Sequence, residues 1–141
     1  AAASGRREPW ETNVTAQTDR ATLKWGALVK ADTPLPTPWP KAEFEAFQRE
    51  IQAERKTLRE AQRPEAEMNA LFRREQAHVE GLFSAAPHHD RVGAFEGANY
   101  EAKGYYRPAV DCIMFTRDRV PFCPVCRHSI DRVIDLYARR K

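Results

Sequence analysis

The sequence has few apolar stretches, and this shortage limits what the protein can be. No apolar run approaches the roughly 20 residues of a membrane-spanning helix, so no transmembrane segment is predicted. Leu, Ile, Val and Phe are scarce before residue 44, 30% of all residues are charged, and the mean hydropathy is -0.70. A chain of 141 residues has the size of one domain, but this composition predicts only a modest core.

The sequence also lacks a marked excess of charge of one sign. Its 23 Lys and Arg residues against 20 Asp and Glu residues give a net charge of +3. Acidic and basic residues alternate along the chain, whereas a protein that binds nucleic acid clusters its basic residues on one face or stripe. No nucleic-acid partner is therefore predicted.

A His-Glu-x-x-His motif, in which two histidines on one face of a helix bind zinc, is missing from the sequence. No pair among its four histidines, His78, His88, His89 and His128, has this spacing around a glutamate. His88 and His89 are adjacent, and neighbouring side chains in an extended segment point to opposite faces. We therefore expect these 141 residues to contain neither a catalytic metal site nor a cofactor.

Cysteine is scarce too, but Cys112, Cys123 and Cys126 lie close together in the sequence. Three uses remain open. The CxxC pair at a predicted helix start would suit redox chemistry, although its usual strand–helix–strand context is missing. The three cysteines with His128 would offer zinc four ligands. We favour a structural disulfide between Cys112 and one of the pair.

Two short patterns bear on where the protein acts. The small residues Ala1-Ala2-Ala3-Ser4 are typical of the mature side of a signal cleavage site, and a disulfide would fit an oxidising compartment. Asn13-Val14-Thr15 matches a glycosylation sequon, a pattern short enough to arise by chance. We expect an exported protein, either periplasmic or extracellular.

Residues 1–40 show almost no helical or strand periodicity. The stretch "TPLPTPWP" at 33–40 has proline at alternate positions, which keeps the chain extended and out of a central strand. Trp10, Trp25 and Trp39 are large aromatic residues in an otherwise polar segment, whereas disordered tails contain few aromatics. We predict an extended docking arm whose tryptophans anchor on the chain's own helices or on a protein partner.

The middle of the sequence has the spacing of amphipathic helices. Residues 41–61 and 64–83 each place apolar side chains three, four or seven positions apart. The residue before a proline disfavours helix, so the break between them falls at Pro64. Two such helices with a short connection predict an αα-hairpin over residues 41–83.

The rest of the chain is predicted to be irregular until a final helix. Glycines punctuate residues 84–122, and a helix is predicted from Cys123 because Pro124 suits a first helical turn. Its buried stripe is predicted to be Ile130, Val133, Ile134 and Tyr137. The predicted fold class is mostly α, with an arm at 1–40, a helical hairpin at 41–83, and a loop region with a C-terminal helix at 84–141.

Several motifs together resemble a known family. "GAFEGANYEAKGYYRPAVDCIMF" at 93–115 and "PFCPVC" at 121–126 resemble the C-terminal part of the IgA-peptidase family, the metzincin-like zinc endopeptidases of mainly bacterial origin. The upstream stretches "EPWETNVT", "TLKW" and "TPLPTPWP" are similar to that family as well. The resemblance covers nearly the whole chain.

The resemblance implies particular roles for residues near the C terminus. Cys112-Ile113-Met114 would form the Met-turn, with Met114 under the zinc, and Tyr105, Tyr106 and Arg107 would line the adjoining substrate wall. The family holds its zinc on a His-Glu-x-x-His helix, which is absent here. We therefore expect a non-catalytic structural or binding subunit, held in a larger assembly by a protein partner.

An alternative interpretation keeps the enzyme. The chain would then be the C-terminal portion of an active, secreted zinc endopeptidase whose catalytic half lies outside these 141 residues. Metalloendopeptidase activity and zinc are expected only together with that half.

Overall fold

The computed structural model describes residues 5–116 and 119–139. The stretch Ala1–Ser4, on which the predicted signal cleavage depends, lies outside them. The described chain forms two compact units, residues 40–86 and a unit built from the segments before residue 40 and after residue 86. Within the described ranges, none of the helices has the length and apolar character needed to cross a membrane.

The predicted αα-hairpin is present in the first unit. Helix α1 spans Lys41–Glu60 and helix α2 spans Glu65–Ser84. Between them Gln62 has a φ of 50° and Pro64 is extended, which ends one helix and starts the next. The apolar stripes meet as predicted, with the side chains of Ile51, Leu71, Val79 and Phe83 buried.

The second unit contains a β-hairpin that the sequence prediction missed. Strand β1, Phe95–Ala98, pairs antiparallel with strand β2, Glu101–Arg107. The register shifts at Gly97, and the two turn residues Asn99 and Tyr100 both have positive φ, as a two-residue hairpin turn of the favoured twist requires. The fold is thus mixed α/β, and the expectation of a mostly α protein needs this correction.

The N-terminal arm is ordered alongside this hairpin. Thr15 and Tyr106 exchange two backbone hydrogen bonds, of 3.1 and 2.8 Å. Further along, the backbone amide of Thr37 donates to the carbonyl of Ala94. The backbone amide of Ala94 in turn donates to the Thr37 hydroxyl. The arm is therefore hydrogen-bonded to β2 at Thr15 and to the residue before β1 at Thr37.

A single core joins the parts of this unit. It combines residues of the arm, the segment before β1, the end of β2 and the first turn of helix α3, which spans Pro124–Ala138. Its buried members are Leu23, Trp25, Val29, Val92, Ala94, Tyr106, Ala109, Cys112, Cys123, Val125 and Cys126.

Beyond its first turn, α3 does not bury the stripe that was predicted. Val125 and Cys126 are buried, whereas Val133, Ile134 and Tyr137 are more than half exposed and Ile130 is also exposed. The helical period correctly placed these apolar residues on α3, but the core of this unit reaches only the start of the helix. The prediction of a buried stripe is therefore wrong for the chain by itself.

Glu8 fastens the beginning of the arm. Its carboxylate accepts hydrogen bonds from the Thr15 hydroxyl at 2.7 Å and the Ala16 amide at 2.8 Å, and it pairs with the Lys24 ammonium at 3.2 Å. Burial raises the pKa of Glu8, but the three partners together lower it by more, so that the net shift of the pKa is downward.

We expect Glu8→Gln to remove a pH-dependent part of the stability. Because the pKa of Glu8 is lower in the folded than in the unfolded chain, its contribution is complete above the unfolded pKa. That contribution is lost as the pH falls through the folded pKa. Denaturant unfolding at pH 7 and at successively lower pH should show the free energy of unfolding of the wild type converging on that of E8Q.

Glu50→Gln, at an exposed position of α1, is the control, and its free energy of unfolding should follow that of the wild type at every pH. A difference in free energy of unfolding between E8Q and the wild type that stays constant with pH would contradict the expectation.

Candidate functional site

The segment expected to be the Met-turn does form a tight turn. The amide of Phe115 donates to the carbonyl of Cys112 at 3.1 Å, and an Asp111 carboxylate oxygen accepts from the Cys112 amide at 2.9 Å. Cys112 is fully buried, whereas Met114 is 56% exposed. The turn therefore presents its methionine on the surface and keeps its cysteine in the core.

Arg107, at the end of β2, holds the neighbouring backbone together. Its guanidinium group donates to the carbonyl oxygens of Gly97, Ala109 and Val110 at 2.9, 3.2 and 3.0 Å. Burial lowers the pKa of Arg107 to about 10, and the charge of Asp111 opposes that shift. The guanidinium therefore stays charged at neutral pH and links the β1 bulge to the segment that leads into the turn.

Two aromatic rings enclose the same guanidinium group. Its carbon lies 4.5 Å from the ring centre of Trp39 and 5.4 Å from that of Phe115, distances at which a cation is attracted to a ring face. The Trp39 indole N–H also donates to the Glu96 carbonyl at 3.2 Å. The arm, the hairpin and the turn therefore meet at Arg107.

The four residues assigned to the substrate wall lie in different environments. Successive side chains of a strand point to opposite faces, and Tyr106 is buried in the core while Tyr105 is half-buried. The Tyr105 hydroxyl donates to the Arg7 carbonyl at 3.4 Å. Met114 is exposed, whereas Tyr105 and Arg107 are half-buried and the Arg107 guanidinium is bound to three carbonyls.

The three tryptophans also differ in their surroundings. Trp25 is 3% exposed, and its indole N–H donates to the Gly93 carbonyl at 2.7 Å. Gly93 packs so closely on Thr37 that an added Cβ would overlap that side chain. Trp10 is 89% exposed. Trp25 and Trp39 thus anchor the arm within its own unit, and Trp10 lies outside the core of that unit.

The three cysteines come together in space. Their sulfur atoms all lie within 4.8 Å of one another, and those of Cys112 and Cys126 are 3.8 Å apart. All three are buried free thiols. His128 is exposed and is not part of this group, so the four-ligand zinc site considered from the sequence is not formed. The disulfide stays a prediction.

Hydrogen bonds differentiate the three thiols. A hydrogen bond from the Cys126 thiol, together with amide N–H groups at the start of α3, lowers the pKa of Cys123 to about 6, against the opposing effect of burial. The same bond to Cys123, and burial, raise the pKa of Cys126, and burial raises that of Cys112. Cys123 is therefore the first of the three to ionise.

The side chain of Asn13 reaches this cluster from the arm. Its amide nitrogen lies 3.7 Å from the Cys126 sulfur. Thr15, the third residue of the sequon, is fully buried, and its hydroxyl is bound to Glu8. The folded arm thus uses both sequon side chains for internal contacts.

Apart from Pro40, the motifs quoted above lie together in the second compact unit. A model of the IgA peptidase M64 family matches residues 1–134, and the chain belongs to that family. The resemblance noted in the sequence is thereby confirmed. No curated protein matches the chain.

The residues present do not fit the catalytic zinc that the resemblance implies. In the described part of the chain, the cysteine cluster is the only group of three or more potential ligands drawn from His, Cys, Asp and Glu. No histidine belongs to it. His88 is half-buried with an Nδ1 atom that lacks a hydrogen-bond partner, but among the described residues it belongs to no group of three or more potential ligands. No hydrolytic step can be derived from these residues.

Proposed function

We propose that the chain is a binding and structural module of an IgA-peptidase-like protein and is not a catalyst by itself. One observation carries the proposal: the turn exposes Met114 as a wall residue would be, while the described residues provide no histidine-containing ligand group. A zinc peptidase needs the metal to activate water and to polarise the carbonyl of its substrate. The wall can therefore bind, but catalysis needs residues outside these 141.

The exposed face of α3 supports a role in a larger assembly. Val133, Ile134, Leu136 and Tyr137 are each more than half exposed, and contiguous exposed apolar surface is typical of interaction sites. The first turn of α3 belongs to the same core as Cys112 of the turn. We propose that the polypeptide carrying the zinc covers this helix, which would place the metal centre and the wall in one assembly.

The isolated chain is expected to have no peptidase activity, with or without added Zn²⁺. The assay is hydrolysis of a mixture of unfolded proteins, followed by mass spectrometry of the products. Met114→Ala, in which the wall residue is truncated, is the matched control, and its background should equal that of the wild type. Cleavage that requires zinc, is stopped by a chelator and is lost in M114A would overturn the proposal.

A second candidate function is that this wall belongs to an active zinc endopeptidase whose His-Glu-x-x-His segment lies elsewhere in the same polypeptide. The formed turn and the exposed Met114 fit this function as well, because the turn would adjoin the zinc that such a segment holds. The sequence of the reading frame upstream of residue 1 distinguishes the two. A His-Glu-x-x-His helix there supports the enzyme, and a signal peptide directly before Ala1 supports the separate, exported subunit.

A further inference from the structure

The three clustered cysteines have no role in the proposed function. We propose that Cys112, Cys123 and Cys126 bind one Zn²⁺ ion through their three sulfur atoms. The ion would be structural, because all three sulfurs lie in the core of the unit. It is separate from the catalytic zinc of the family, which requires histidines that this cluster does not contain.

The distances between the sulfur atoms support a metal site. Zinc binds thiolates tetrahedrally with Zn–S distances of about 2.3 Å, which places neighbouring sulfurs roughly 3.8 Å apart. The sulfurs of Cys112 and Cys126 are 3.8 Å apart, and Cys123 lies within 4.8 Å of both. A disulfide needs a separation of about 2.05 Å. The free cluster is therefore spaced for an ion between its sulfurs.

The surroundings of the sulfurs are those of thiolate ligands. The amide of Cys123 donates to the Cys112 sulfur at 3.2 Å, and the Asn13 side-chain amide donates to the Cys126 sulfur at 3.7 Å. Backbone N–H groups of Val125 and Cys126 point at the Cys123 sulfur. Such N–H donors orient ligands and offset the negative charge that three thiolates bring to one ion.

The ligand set selects the kind of metal. Thiolates favour soft or borderline ions such as Zn²⁺ and Cu⁺ over Mg²⁺ or Ca²⁺, and zinc is the ion for which tetrahedral thiolate sites are typical. Among the described residues, no fourth His, Cys, Asp or Glu joins the group. A water molecule would complete the tetrahedron. On binding, the sulfurs that still carry a proton release it to solvent, so that all three bind the ion as thiolates.

The ion would have a definite structural effect. Cys112 starts the methionine-bearing turn. Cys123 directly precedes α3, and Cys126 lies in the first turn of that helix. One ion bound to all three sulfurs would fix the turn to the start of the helix. This is the connection that the sequence prediction assigned to a disulfide.

The test uses the full 141-residue chain, purified with a phosphine reductant so that the thiols are free. Titration with Co²⁺ as a spectroscopic probe should saturate at one equivalent and show thiolate-to-cobalt charge-transfer and tetrahedral d–d bands. Zn²⁺ should displace the cobalt stoichiometrically. A titration without these bands, while three thiols react under denaturing conditions, would overturn the proposal, as would a disulfide that resists the reductant.

Serine variants identify the ligands. Cys112→Ser, Cys123→Ser and Cys126→Ser should each lower the Zn²⁺ affinity by at least about 100-fold, since even changes to the groups around a ligand cost about 10- to 100-fold. His128→Ala is the matched control, because its imidazole is close in sequence but outside the cluster, and its affinity should equal that of the wild type. Unchanged affinity in the serine variants would refute the site.

One further measurement separates the loss of a ligand from the loss of the fold. Circular dichroism establishes whether each serine variant folds, and the titration of the wild type stands even if a variant does not. Metal binding is measured without any peptidase assay. If the cysteines bind no zinc, the proposed function is therefore unaffected. If the proposed function is wrong, the zinc site is likewise unaffected.

Discussion

Trp25→Ala should lower the free energy of unfolding by about 3–5 kcal/mol, the usual cost of truncating a large core aromatic. The ring is 3% exposed and lies in the core of the second unit. The substitution leaves a cavity, and it also leaves the Gly93 carbonyl without the indole donor that now lies 2.7 Å away. Urea denaturation followed by circular dichroism should show the lower midpoint.

Two variants control this prediction. Trp10→Ala removes an indole that is 89% exposed and should change stability by less than about 0.5 kcal/mol. Trp25→Phe keeps most of the apolar contact but loses the N–H donor, so its effect should be intermediate. Equal losses at positions 10 and 25 would show that the arm is not anchored as described.

Arg107→Met is expected to cost about 2–4 kcal/mol, because the carbonyls of Gly97, Ala109 and Val110 lose their common donor. Methionine retains part of the aliphatic contact with the ring of Trp39 but contributes neither charge nor hydrogen bonds. Arg107→Lys restores the charge without the planar fork that reaches several acceptors at once. It should therefore recover only part of the loss, which chemical denaturation can measure.

Lys103→Met supplies the matched control on the same strand. Lys103 is exposed on β2, and its replacement should alter stability by less than about 0.5 kcal/mol. If Arg107 served only to contact a substrate, both Arg107 variants would be as stable as this control. That result would return the residue to the substrate wall and remove its structural role.

The helices could be predicted because their determinants are local. The spacing of apolar residues gave 41–61 and 64–83, and the structure has Lys41–Glu60 and Glu65–Ser84. The α3 stripe was also a correct helical pattern. A repeat of apolar residues shows which face is apolar, but it does not show whether another part of the chain covers that face.

The β-hairpin was harder to predict for identifiable reasons. Gly97 produces a register shift within a strand of four residues, which breaks the alternation of side chains that marks a strand. The turn uses Asn99 and Tyr100 at positive φ, whereas the readily recognised hairpin turns end in glycine. Asn99 suits a positive φ, but Tyr100 gives no such signal, so the pair does not mark the turn in the sequence.

The candidate site was predictable only where its members are close in sequence. The grouping of the three cysteines followed from their spacing, and the structure brings their sulfurs together. The separation of Tyr106 from Tyr105 depends on a strand that had not been recognised. The contacts of Trp25 and Thr37 with the segment at 93–94 depend on tertiary folding, for which the sequence contains no local pattern.

The second unit is interrupted along the chain by the whole helical hairpin, and this has a consequence during translation. Trp25 and its acceptor Gly93 are 68 residues apart, so at roughly 5–20 residues per second the tryptophan is synthesised about 3–14 s before its partner. Residues 40–86 make local contacts and can fold in that interval, because local contacts form fast. Trp25 of the nascent arm therefore stays without its acceptor at least until Gly93 has been synthesised.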